Sequence, residues 1–151
     1  MKTAVFPGSF DPITRGHESI IKRALPLFDE IVIGIGFNTG KHYYFSQERR
    51  ERFIKSVFEK EPKIKVMSYN GLTVNFCKEI GATYILRGLR TSADYEFERA
   101  IAQMNQSMAP GIETVFLVSD PSLSHISSTI VRDILLYHGD VSAFVPDAVK
   151  I

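Results

Sequence analysis

A chain of 151 residues, 44% of them apolar, has the length of one domain and enough core-forming side chains to bury about two-thirds of its unfolded surface. A net charge of +1 excludes a general nucleic-acid binder, so any anion site must be local. The single cysteine, Cys77, excludes an intrachain disulfide and a cysteine-built zinc site, and no apolar run nears the ~20 residues that span a bilayer.

The first apolar run, Ala4-Val5-Phe6, reads as a buried strand rather than a signal peptide, and a cytoplasmic protein is expected. A turn follows, Gly8-Ser9-Phe10-Asp11-Pro12-Ile13-Thr14-Arg15-Gly16-His17. Then Ile20, Ile21, Ala24, Leu25 and Phe28 predict a helix from about His17, which Pro26 should kink or end near Leu25. Ile31 to Gly36 has the length and unbroken apolarity of a central parallel strand. A loop from Asn38 to Tyr44 leads to a helix with Ser46 as N-cap, Glu48 in its first turn, and Phe53, Ile54, Val57 and Phe58 on one face. Ile64-Lys65-Val66-Met67 is a third strand. Leu72, Phe76 and Ile80 mark a short helix that stops at Gly81. The fourth strand, Ala82 to Leu86, ends at Arg87. A longer helix starts near Ala93, with Phe97, Ile101, Met104 and Met108 expected inward. Thr114 to Val118 is a fifth strand, and a last helix runs from Ser127 or Ser128 to about Tyr137. No repeat, low-complexity tract or linker divides residues 1–151, so a single domain is expected.

Five strands alternating with amphipathic helices predict an α/β fold, a five-stranded parallel sheet, doubly wound and Rossmann-like. Such sheets take ligands at the C-terminal ends of their strands. Ser9 to His17, Asn38 to Lys41, Gly71 to Thr73, Arg87 to Arg90 and Ser119 to Ser127 all follow strands, so five segments remote in sequence converge on one rim. In the first turn Gly8 and Gly16 admit close approach of backbone to a ligand, and Asp11-Pro12 reverses the chain. The free N–H groups and the helix dipole both favour an anion there. His17 stands at the mouth of that helix. A neutral hydrogen-bond donor and a cation held by bound phosphates both fit it, although the dipole disfavours imidazolium. By contrast, Gly34-x-Gly36-x-x-x-Gly40-Lys41 is not a P-loop, because Ile35 stands where a Gly is needed and His42 replaces the Ser/Thr. Thr39 likewise breaks a dinucleotide fingerprint.

Gly8-Ser9-Phe10-Asp11-Pro12 with Thr14-x-Gly16-His17 resembles the first motif of nucleotidyltransferases that carry a (H/T)xGH turn. Ile126-Ser127-Ser128-Thr129-x-Val131-Arg132 matches a second motif of that superfamily. Between them lie Leu86-Arg87-Gly88-Leu89-Arg90 and Asp94-Tyr95-Glu96-Phe97-Glu98. Together, over nearly the whole chain, these resemble the bacterial phosphopantetheine adenylyltransferases, and the Arg-Gly-Leu-Arg segment is what points past the superfamily to this family. The resemblance implies adenylyl transfer from ATP to phosphopantetheine. It implies magnesium held mainly by phosphates and water, a homohexamer, and a further short helix after Phe144-Val145-Pro146-Asp147.

Carried over by motif, the resemblance makes His17, Lys41 and Arg90 catalytic. It assigns ATP to Ser9, Phe10, His17, Gly88, Leu89, Arg90 and Glu98, and to Leu123, Ser124, His125, Ile126, Ser127, Ser128 and Thr129. The acceptor falls to Ser9, Lys41, Thr73 and Arg87. Each has a plainer reading. A lone histidine is ordinarily structural, Lys41 a solvated loop lysine, Glu98 a solvated helix carboxylate, and Ser127-Ser128-Thr129 an N-cap. Two guanidiniums three residues apart around a Gly nevertheless suit two phosphate groups. Cys77 reads as core, Tyr43-Tyr44-Phe45 as packing, and Arg132 as structural. No His or carboxylate set has metal-ligand spacing, so no protein metal site is expected. Two other functions remain: nucleotidyl transfer to nicotinate mononucleotide or an alcohol phosphate, and a regulatory nucleotide-binding domain without catalysis. The Arg87-Arg90 segment argues against the first, and the intact His17 with both motifs against the second.

Overall fold

The computed structural model describes residues 1–151. Five βα units follow one another: β1 (Thr3–Gly8) and α1 (Arg15–Ala24), β2 (Glu30–Gly36) and α2 (Gln47–Val57), β3 (Ile64–Tyr69) and α3 (Thr73–Ile80), β4 (Tyr84–Leu89) and α4 (Ser92–Met108), and β5 (Glu113–Val118) and α5 (Ser128–Leu136). All pairings are parallel, in the order β3-β2-β1-β4-β5. The order reverses between β1 and β4, and this is where a doubly wound sheet opens a crevice at its C-terminal edge.

Helix ends follow local chemistry. Ser46 caps α2 by accepting the N–H of Arg49, and Ser127 caps α5 by accepting that of Ile130. Gly81 closes α3 in the left-handed region at φ 76°. Pro26 ends α1 in a short 3₁₀ turn, Leu25–Leu27, as its fixed φ and missing N–H require.

The buried strands alternate between two cores. Ala4, Phe6, Ile31, Ile33, Ile35 and Leu86 point to one face, where they pack with Ile20 and Ile21 of α1, Phe53 and Ile54 of α2 and Val131 of α5. Val5, Val32 and Ile85 point to the other, against Val74, Phe76 and Cys77 of α3. The first core has 20 buried residues and the second has 9, so the sheet is braced unequally.

Two expectations need correction. The fourth strand does not end at Arg87 but runs through Gly88 to Leu89, with Arg87 paired in register to Phe116. The continuation is possible because Gly88 lies against α1; a Cβ there would come within 3.0 Å of Ile20 Cγ1. The second correction concerns α4. Phe97, Met104 and Met108 do not face inward, being 68%, 65% and 46% exposed, and Ile101, 40% exposed, borders a cavity rather than the core. The helix turns its polar stripe to the protein instead. Glu98 is its one buried residue, and Glu98, Ile101, Ala102 and Asn105 line a cavity. Amphipathicity marked two faces, but the face turned to the protein borders a cavity rather than the core.

Candidate active site

Two cavities open along the C-terminal edge of the sheet and meet at the end of β1. One, of about 340 Å³, lies between the first turn, β4 and the start of α5. The other, of about 410 Å³, lies between β1, β2, the Asn38–Tyr43 loop and α4. Pro7, Gly8, Ser9, Arg87 and Glu98 line both. The five rim segments therefore do converge.

His17 is the most constrained side chain of the rim. Thr14 caps α1, its hydroxyl accepting the His17 N–H at 3.4 Å, while His17 Nδ1 accepts the Thr14 N–H at 3.0 Å. This is a reciprocal capping box with histidine in the place usually held by Glu or Gln. Because Nδ1 is an acceptor, the neutral ring carries its proton on Nε2. Phe10 and Phe6 pack edge-on to the imidazole, with ring centroids 5.1 and 6.2 Å away. Burial, with Arg87 and Arg90 nearby, pushes the His17 pKa from 6.5 down to about 4. Of the two states the sequence left open, the free protein holds the neutral donor.

The turn before it is pinned from several sides. The Asp11 carboxylate accepts the N–H groups of Tyr44 and Phe45 at 2.7 and 2.8 Å. Arg50 Nη1 donates to the Ser9 carbonyl at 2.7 Å, Arg132 Nη1 to the Asp11 carbonyl at 2.9 Å, and Ser128 Oγ to the Pro12 carbonyl at 2.9 Å. Phe10 is held at φ 50°, an uncommon conformation for a residue with a Cβ. Its ring is 2% exposed, so Phe10 serves the site from the core side.

Arg87 Nε and Nη2 grip Glu98 at 2.9 and 2.6 Å in a two-pronged pair, while Nη1 donates to the Pro7 carbonyl at 2.7 Å. Three of five guanidinium donors are thus used, and the rest are available to an anion. Glu98 is not the solvated helix carboxylate of the plainer reading; it is 8% exposed and stands between the two cavities. Arg90 is held by Asp94, which accepts its backbone N–H at 2.9 Å and its Nε at 3.2 Å, and Arg90 Nη1 reaches the Ile126 carbonyl at 3.1 Å. At α5 all three hydroxyls are engaged, Ser127 in capping, Ser128 on the Pro12 carbonyl and Thr129 with Arg132 Nη2 at 3.3 Å, and the residues line the smaller cavity at the positive end of the helix.

Of the residues expected to hold ATP, Ser9, Phe10, His17, Gly88, Arg90, Glu98, Leu123, Ile126, Ser127, Ser128 and Thr129 border the smaller cavity. Leu89, Ser124 and His125 lie off it: the Leu89 carbonyl accepts the Ser119 N–H, Ser124 bonds Ser119 Oγ and the Asp120 carbonyl, and His125 stands beside Phe144. Ser9, Lys41, Thr73 and Arg87 border the larger cavity together. Lys41 Nζ is 3.5 Å from Ser9 Oγ, and Thr73 Oγ1 is 2.8 Å from Tyr69 Oη.

The cytidylyltransferase-like family model matches residues 5–134. The chain is 56% identical to the phosphopantetheine adenylyltransferase of Flavobacterium psychrophilum and 57% identical to that of Flavobacterium johnsoniae, in both cases over 100% of this chain and 99% of the relative. The chain belongs to the phosphopantetheine adenylyltransferase family. Among solved structures it resembles a bifunctional NMN adenylyltransferase/ADP ribose pyrophosphatase from Francisella tularensis, with TM-score 0.72 and 16% identity, over 95% of this chain and 44% of that one. A second structure of the Francisella protein, complexed with AMP and a manganese ion, gives TM-score 0.70 at 16% identity, over 99% of this chain and 45% of that one. At that identity the likeness is one of fold.

For a phosphopantetheine adenylyltransferase, sequence reasoning found the ligand-facing residues more readily than those that hold them. It missed Asp11 and Arg50 as anchors, and Arg132 as a clamp on the first turn. Arg50 sits in a run of charges, Arg49-Arg50-Glu51-Arg52, yet is 1% exposed. Its spacing of three and four residues before Phe53 and Ile54 puts it on their face, and that was the available signal. The carboxylates of the rim are all engaged: Asp11 by two N–H groups, Asp94 by Arg90, and Glu98 by Arg87.

Proposed function

We infer that this rim transfers the adenylyl group of ATP to the 4′-phosphate of phosphopantetheine, giving dephospho-CoA and pyrophosphate, with the triphosphate in the smaller cavity and the acceptor in the larger. The family's name states the reaction, and one observation supports this placement: two cavities share Ser9 and Arg87, and His17, its proton on Nε2, lines the smaller one.

The attacking phosphate is already an anion, so no strong base is needed. What the site must do is bring two polyanions together and stabilise charge as it grows on the α-phosphate and the leaving pyrophosphate. His17 donates from Nε2 to an α-phosphate oxygen. Lys41 and the remaining donors of Arg87 hold the acceptor phosphate, with Thr73 beside the pantetheine arm. Arg90 and the Ser127–Thr129 turn, through the N–H groups at the start of α5, hold the triphosphate. Magnesium would be held mainly by the substrate phosphates and water, since Asp11, Asp94 and Glu98 are engaged, and would supply further charge neutralisation. Nothing at the rim pairs a nucleophile with a base and an orienting carboxylate, so the transfer is a single in-line displacement. ATP chiral at the α-phosphorus should give inverted product.

No helix is long and apolar enough to cross a membrane, and residues 1–151 are read as one cytoplasmic catalytic domain. The outward stripe of Phe97, Met104 and Met108 on α4 supports self-association, and a homohexamer is the assembly proposed. Sedimentation velocity reads that directly. The reaction is tested by pyrophosphate release from ATP with a panel of phosphorylated acceptors. Release with phosphopantetheine alone is the expected result, and release only with nicotinate mononucleotide would replace this reading.

A further inference from the structure

Tyr43 lines the larger cavity and belongs to neither motif. Its ring lies 4.0 Å from the Arg50 guanidinium carbon and 5.4 Å from Lys41 Nζ, so two cations contact one aromatic side chain. Its Oη accepts the N–H of Asn38 at 3.1 Å. Asn38 in turn closes the loop, its carbonyl accepting the Lys41 N–H at 3.0 Å and its Oδ1 the Gly40 N–H at 2.9 Å.

Arg50 is costly where it stands. It is 1% exposed, has no carboxylate in an ion pair, and leaves Nε without an acceptor. A buried charge that has one carbonyl and one aromatic face in contact, and the Asp11 carboxylate acting on it without an ion-pair contact, is costly to hold in the core. Both of its direct contacts lead to the cavity. Nη1 fixes the Ser9 carbonyl, and the guanidinium plane supports the Tyr43 ring. Lys41, exposed and on a long flexible stem, is otherwise free to leave. Ring and Ser9 Oγ together set its ammonium over the junction of the two cavities.

We propose that Tyr43 and Arg50 form a positioning platform that holds Lys41 against Ser9, ready for the acceptor's phosphate. The inference rests on the reading of Lys41 as a ligand of that phosphate. Neither platform residue touches a reacting atom. Arg50 sets Ser9 and the ring, and the ring, through its negative face, sets the lysine.

Steady-state kinetics of the full-length protein, with each substrate varied at saturating partner, test this with Tyr43→Leu, Tyr43→Phe, Lys41→Ala and the Tyr43→Leu/Lys41→Ala double variant. Tyr43→Leu should raise KM for phosphopantetheine about threefold, the size of one cation–π contact at an exposed site, and leave KM for ATP nearly unchanged. Tyr43→Phe keeps the ring and should restore most of the loss. In the Lys41→Ala background, Tyr43→Leu should add nothing, because the residue it positions is gone. Full additivity of the two changes, an equal rise in both KM values, or no change at all in Tyr43→Leu would overturn the platform. A Tyr43→Phe variant as impaired as Tyr43→Leu would assign the effect to the hydroxyl and overturn the ring's part. If Lys41→Ala itself leaves KM for phosphopantetheine unchanged, the acceptor-side reading of Lys41 fails and the platform falls with it. Arg50→Lys keeps the charge without the plane and should resemble Tyr43→Leu; a thermal melt separates this from misfolding, and the tyrosine variants decide the matter should it fail to fold.

Discussion

The two cavities are built by different means. The smaller is a fixture of backbone and capped helix ends: His17 is locked by Thr14, α5 is capped by Ser127, and the turn between is held through its carbonyls by Arg132 and Ser128. The larger draws on exposed loop residues and on long side chains, Lys41 and Arg87, whose reach is set by other side chains. The sheet repeats the contrast, with 20 buried residues in the core that holds Phe10, Ile20 and Val131 and only 9 in the core beneath α3. A group whose charge changes during transfer benefits from a preorganised cradle, because dipoles that need not reorient lower the barrier. An acceptor that must enter and leave tolerates a looser wall. The contrast therefore predicts that lesions in the smaller cavity fall on kcat, and lesions in the larger on KM.

The largest effect belongs to His17→Ala. It should lower kcat by roughly 10²–10³ with a smaller change in ATP binding and an intact fold, since the ring faces a cavity. Near wild-type turnover would sink the catalytic role. The same residue predicts a pH dependence. Its pKa is about 4 folded against 6.5 unfolded, so between those values the unfolded chain binds more protons than the folded one. Stability from this group is complete above pH 6.5 and is lost as pH falls through that window. Urea melts of wild type and His17→Ala should therefore diverge in their pH slopes between about pH 4 and 6.5, with the wild type steeper.

Arg87→Ala and Arg90→Ala test the division itself. Arg87→Ala should raise KM for phosphopantetheine by tens-fold, ~2 kcal/mol, and ATP much less; Arg90→Ala should do the reverse and also lower kcat. If both variants weaken both substrates equally, the two cavities are better regarded as one anion cradle. Glu98→Gln is the smaller, sharper case. Glu98 borders both cavities and orients Arg87 through two bonds, so a neutral amide should raise both KM values about fivefold, ~1 kcal/mol. A rise for ATP alone would place Glu98 wholly on the nucleotide side, as the family resemblance implied.

What the sequence revealed divides along the same line. Unbroken apolar runs such as Ile31 to Gly36, turn chemistry at Gly81 and caps at Ser46 and Ser127 depend on neighbours in the chain, and they placed every strand and helix to within a few residues. The rim residues followed, because strand ends in a parallel sheet share an edge. Burial of charge did not follow. Arg50 and Glu98 look like ordinary helix-surface residues, and only their tertiary partners, the Ser9 carbonyl and Arg87, make their burial tolerable. The stripe on α4 failed for a related reason: an apolar face says that something covers it, not that the same chain's core does.

Cys77 gives the smallest effect and probes the thinner core directly. The thiol is fully buried in the second cluster beside Phe76, and burial pushes its pKa up to about 11, so it carries almost no thiolate at neutral pH. No base or guanidinium activates it, and it borders neither cavity. Cys77→Ser exchanges a weakly polar sulfur for a hydroxyl that must find a partner inside a nine-residue cluster, which should cost about 1–3 kcal/mol of stability. Turnover should be unchanged. Because α3 carries Thr73 at its first turn, loosening this core should reach function, if at all, as a rise in KM for phosphopantetheine and never as a fall in kcat. Denaturant melts and kinetics on one preparation read both quantities. A fall in kcat at unchanged KM would show that the thinner core also sets the transfer step, and the separation of a rigid nucleotide cavity from a compliant acceptor cavity would fail.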